Sequence, residues 1–188
     1  MVWFQRLSQF FYRYGNVYTL LIALVLFAVF IGVVLPAESE KSAQQTGSSR
    51  SPDTALFYQA DELYSIAEEY GEEGRSAYVK ARYTFDIAWP LAYTFFLTAA
   101  LSFFLRSMPA SRWKLLNLLP AAGMALDFLE NTGTSIVMLR FPSETPVIAH
   151  ITPFFTLFKW LSIYASFGLL VVAFIYWVVY SIKKRRKK

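Results

Sequence analysis

Three carboxylic acids and one amine sit where the surrounding sequence is apolar: Asp86, Asp127, Glu130 and Lys159. Ionisable groups in hydrocarbon cost several kcal/mol, so they normally face protein or a cavity and carry function. Asp127, Glu130, Asn131 and Thr134 recur at i, i+3, i+4 and i+7, which places them on one face of a helix. Thr152, Thr156, Lys159, Ser162 and Ser166 form a second polar stripe, and Arg82, Asp86, Pro90, Tyr93 and Thr94 a third. At 1.5 Å per residue, Glu130 lies about 14 Å below the outer, C-terminal end of its span and Lys159 about 12 Å below the outer, N-terminal end of the next, antiparallel one. That depth match predicts a Glu130–Lys159 ion pair. Three carboxyl groups against one lysine exceed the needs of a single pair. Such a surplus suits general acid–base chemistry or a proton-coupled binding site. Asp86, Asp127 and Glu130 are therefore the candidate catalytic residues. Lys159, Arg140, Asn131, Tyr93 and Arg82 are the candidate ligand contacts, with Arg75 and His150 near the mouth of the same pocket.

Other chemistries lack their residues. There is no cysteine and one histidine, His150. Disulfides, thiol redox relays and bis-histidine haem are excluded within one chain, and a zinc site lacks its usual ligands. No G-x-S-x-G, H-E-x-x-H, Walker or G-x-G-x-x-G pattern occurs. No metal site and no particular cofactor are expected.

The elements that position these groups follow from composition. Of 188 residues, 56% are hydrophobic, 19% aromatic and 16% charged, against about 25% charged in a soluble domain. An all-α integral membrane protein is expected, a bundle of four transmembrane helices over residues 17–35, 83–105, 115–139 and 152–180. About 20 helical residues cross a bilayer. Residues 1–16 mix aromatics with Arg6 and Arg13 and read as an interfacial helix. Residues 1–16, the second-to-third connection and the tail 181–188 hold eleven bases and no acid. By the positive-inside rule both termini are cytoplasmic, and segment 36–82 is extracytoplasmic. The basic tail is expected to meet anionic lipids. A pI near 9.4 thus reflects topology, and nucleic acid is not an expected partner. Compact loops and absent cysteine favour a bacterial inner membrane.

Within segment 36–82, residues 37–52 read as a flexible polar linker. Ser51-Pro52-Asp53 resembles a helix start. Leu56, Ala60, Leu63, Ala67 and Tyr70 then predict an amphipathic helix over 54–70, stopped by Gly71.

Four spans, a long first outer loop, an acid followed by Trp89-Pro90 and a basic C-terminus make a layout similar to the emopamil-binding and sterol-isomerase superfamily. The likeness is one of arrangement. It transfers no site residue to this chain, which has no histidine inside a span. The first functional expectation is a protein that binds or processes a lipid or amphiphilic small molecule in a polar pocket of the outer half. One alternative is a non-catalytic accessory subunit with a membrane-protein partner or a homo-oligomeric contact. Another is a proton- or cation-coupled transporter.

Overall fold

The computed structural model describes residues 2–108 and 111–186, and among them it contains helices and no strand. The last two tail residues, Lys187 and Lys188, lie outside the described residues. Seven α-helices follow in order: α1 Val2–Tyr14, α2 Val17–Val29, α3 Leu35–Thr46, α4 Ala60–Arg82, α5 Phe85–Phe104, α6 Leu119–Arg140 and α7 Pro146–Arg185. A π-helical turn, Phe30–Val34, joins α2 to α3, and 3-10 turns cover Pro52–Thr54, Leu105–Ser107 and Ser111–Leu118.

Among the described residues, three helical stretches are long and apolar enough to cross a membrane: Val17–Thr46, Ala60–Ser107 and Pro146–Arg185. α6 is not among them. Its 22 residues carry Asp127, Glu130, Asn131, Thr132, Thr134 and Ser135, which dilute its apolar content.

The polar linker expected over 37–52 is instead largely helix. α3 continues the first apolar helix through Pro36, which occupies the first turn of α3, where a missing N–H costs little. The chain leaves α3 at Gly47, whose φ of 68° is left-handed and favours glycine. The following helix also starts later than its apolar spacing predicts. Gln59 and Glu62 form a reciprocal capping box at the start of α4, so the helix opens at Ala60. Ser51-Pro52-Asp53 makes a 3-10 turn rather than a helix start. Gly71, expected to end the helix, is the non-helical residue at which α4 kinks, with φ 62° and ψ −177°.

The chain divides into two compact units. The first comprises Met1–Ala28, Ala92–Gly123 and Leu161–Lys188, the second Val29–Leu91 and Met124–Trp160. All 13 acids fall in the second unit, with seven of the 18 bases; the first holds the other 11 bases and no acid. The core of the second unit joins Tyr58, Leu63, Ala67, Tyr70 and Tyr78 to Val137, Met138 and Ala149. That of the first joins Leu101, Leu105 and Ala173, flanked by Phe104 and Leu116.

Candidate functional site

Two buried bases organise the polar side chains of the second unit. Arg82 closes α4, and its guanidinium lies 4.4 Å from the centre of the Tyr78 ring. One amino group pairs with Asp53 and the other with Asp86 Oδ2 at 2.6 Å. Asp86 stands one turn further along, so that pair follows from helical periodicity. Asp53 comes from the 3-10 turn, 29 residues earlier in sequence. Its carboxylate also accepts hydrogen bonds from Ser51 Oγ at 2.7 Å and the Tyr78 hydroxyl at 3.2 Å.

Lys159 of α7 pairs with Glu130 of α6 and lies 3.8 Å from Asp127 Oδ1. The expected pair is thus formed. Glu130 is 0% exposed. Its second oxygen accepts from Thr156 Oγ at 2.8 Å, and Thr156 lies 3.4 Å from the Tyr58 hydroxyl. Asn131 donates to Asp127 at 3.5 Å. The stripe on α6 therefore meets Thr156 and Lys159 on α7 through Asp127 and Glu130. Gly133 makes the approach possible, since a Cβ there would sit 3.0 Å from Thr152 Cγ2.

The two groups of ion pairs share one field. Burial pushes the Asp53 carboxyl up, but the Arg82 guanidinium, then the Lys159 ammonium and the Ser51 hydroxyl, outweigh it. Asp53 is held below the usual carboxylate range. Burial, reinforced by the charge of Glu130, holds the Tyr58 phenol well above its usual range. Tyr58 therefore stays neutral and serves as a hydrogen-bonding group. Four carboxyl groups face two bases in this network, a formal excess of two negative charges.

Of the expected site residues, Asp86, Asp127, Glu130, Lys159, Asn131 and Arg82 come together here. Arg140 does not; it is exposed at the end of α6 and makes no ion pair among the described residues. Arg82 and Lys159 are both held by carboxylates. Tyr93 is buried and belongs to the first unit. Arg75 stacks on Phe141 and donates to the Ala67 carbonyl, while exposed His150 contacts the Pro146 carbonyl. The additional members are Asp53, Tyr58, Tyr78 and Thr156. Thr156 was signalled by the α7 stripe, and Tyr78 stands one turn before Arg82. For Asp53 no periodic signal exists.

Among the described residues, no three His, Cys, Asp or Glu side chains converge as metal ligands. A cavity of about 750 Å³ lies against α3 and α4, lined by Lys41, Gln45, Glu72, Glu73 and Lys80 among others, and none of the charged network lines it. The charged side chains close on one another instead. Arg82 Nε, Ser135 Oγ and Thr145 Oγ1 are buried without a hydrogen-bond partner. No known protein family, curated protein or solved structure matches this chain.

Proposed function

We propose that this chain is a four-span integral membrane protein with cytoplasmic termini, and that its acid-rich unit binds or processes a lipid or amphiphile through a cationic or proton-carrying head. The segregation of charge supports the topology. The N-terminal segment, the connection before α6 and the C-terminal tail all belong to the unit without acids. That grouping fits four crossings and the positive-inside pattern.

One observation carries the functional reading: four carboxyl groups against two bases, nearly all buried. Uncompensated buried charge costs several kcal/mol per ion. The network therefore draws in positive charge, as a proton or as the head of an amphiphile. The aromatic side chains Phe57 and Phe154, in edge contact with ring centres 5.6 Å apart, would supply an apolar wall.

Native mass spectrometry of the protein in lipid particles tests this. A bound amine-bearing lipid or small molecule, retained by the wild type and lost from Glu130→Gln, is the expected result. If the two proteins retain identical lipid profiles, the reading fails. The closure of the network upon itself favours a second reading, an accessory subunit whose charges fix helix register. A stoichiometric protein partner with no small ligand would support that instead.

A further inference from the structure

A different surface, in the unit without acids, carries a ligand assignment of its own. Helix α1 is fixed by one face. Ser8 Oγ donates to Asn117 Oδ1 at 2.8 Å, and the Asn117 amide donates to the Ser8 carbonyl at 3.2 Å and to Ser102 Oγ at 3.0 Å. Asn117 is 0% exposed, so these bonds are shielded from water. The Tyr12 hydroxyl donates to the Lys114 carbonyl at 3.1 Å, and Arg106 donates to the Tyr12 carbonyl. Gly15 lets α1 come close: a Cβ there would lie 3.0 Å from Ser102 Cβ.

The other face of α1 is exposed. Successive helical residues turn by about 100°, which brings Trp3, Phe10 and Tyr14 within about 40° of one another. They are 65%, 53% and 52% exposed. Arg6 and Arg13 lie about 60–80° round the helix from Trp3, and both are exposed. Exposed Arg106 and Lys114 extend the positive surface on the segment to which α1 is tied. No carboxylate exists in this unit to neutralise any of them.

We propose that this surface of α1, with Arg106 and Lys114, is a binding site for anionic phospholipid headgroups. Arg13 stands four residues before α2, whose side chains are apolar and largely exposed. The guanidinium groups are thereby held at the level where phosphates lie, and the row of rings has the composition that settles at a membrane interface. Guanidinium pairs with phosphate through two parallel hydrogen bonds. The site is preorganised by the Asn117 bonds, and it is distinct from the C-terminal run of lysines and arginines.

Spin-labelled lipids in proteoliposomes of the full chain test the assignment. The expected preference for phosphatidylglycerol over phosphatidylcholine is about fivefold for each base that reaches a phosphate, and it falls at high salt. Arg6→Gln/Arg13→Gln should remove most of it; both side chains are exposed, and among the described residues neither makes a hydrogen bond or ion pair, Arg13 only lying 5.8 Å from the neighbouring Tyr14 ring. Replacing Lys183, Lys184, Arg185 and Arg186 by Gln should leave most of it in place. An unselective wild type overturns the proposal. So does a preference carried by the tail, or one that survives Arg6→Gln/Arg13→Gln/Arg106→Gln/Lys114→Gln. A soluble oligonucleotide that displaces phosphatidylglycerol at equal phosphate would also overturn it, since the site would then be a general polyanion surface.

Discussion

Gly133→Ala isolates the contact that brings α6 against α7. An added Cβ would fall far inside contact distance of Thr152 Oγ and lie 3.0 and 3.1 Å from its Cγ2 and Cβ. Thr152 cannot easily move, because it is 1% exposed and its hydroxyl is bonded to the Ile148 carbonyl at 2.7 Å. Overpacking of a closed core costs about 1–3 kcal/mol, and three simultaneous collisions belong at the upper end. Alanine's better helix propensity returns about 1 kcal/mol. The net loss is then about 2 kcal/mol, or about 4–8 °C in Tm for a chain of this size. Thermal unfolding of a fluorescent fusion in mild detergent would measure it. Gly32→Ala and Gly168→Ala are internal controls, since a Cβ at either position meets nothing within 4 Å; both should be neutral or slightly stabilising. Thr152→Ala removes the two most intrusive atoms, and in the Gly133→Ala background it should raise Tm. A Gly133→Ala protein as stable as the controls, or one that Thr152→Ala fails to rescue, would refute the reasoning.

The charge network makes further predictions. Lys159→Met leaves Glu130 and Asp127 facing each other without a base, and should cost about 3–5 kcal/mol by denaturant titration. Glu130→Gln/Lys159→Met should recover a substantial part of that loss, a coupling visible in a double-mutant cycle. Asp53 titrates below its unfolded value, so its contribution is complete above about pH 4. It is lost as pH falls through the folded-state value. The acid limb of a Tm-against-pH profile should accordingly be shallower in Asp53→Asn. Gly71→Ala should lower Tm more than Gly32→Ala, because φ 62° with ψ −177° is a conformation that glycine alone adopts readily.

Much of this arrangement was legible because helices repeat. Spacing put Asp127, Glu130 and Asn131 on one face, and depth counting brought Lys159 opposite them. The same logic gave Arg82 and Asp86 as partners one turn apart. What escaped was non-periodic. Asp53 reaches Arg82 from a 3-10 turn, and a pairing that joins a turn to the far end of a helix 29 residues on leaves no trace in spacing. Its proximity to Ser51 and Pro52 imitated a helix start, while the real start used the less common pair Gln59 and Glu62. Helix α3 escaped because its polar composition reads as a linker, although it inherits its nucleus from the apolar helix before it, and extending an existing helix is far easier than starting one.

The uneven composition of α6 also bears on how the chain is made. In the four-span reading, Asp127 and Glu130 leave the ribosome before the lysine that neutralises them. A helix with two such acids and too little apolar surface to qualify as a span on its own is a poor substrate for stepwise insertion. α7, with its long apolar run and Lys159, supplies both missing ingredients. The two helices are therefore expected to enter the bilayer as one hairpin, with the Glu130–Lys159 bond as the condition of entry. A chain truncated between them should leave α6 outside the membrane, open to quality-control proteases.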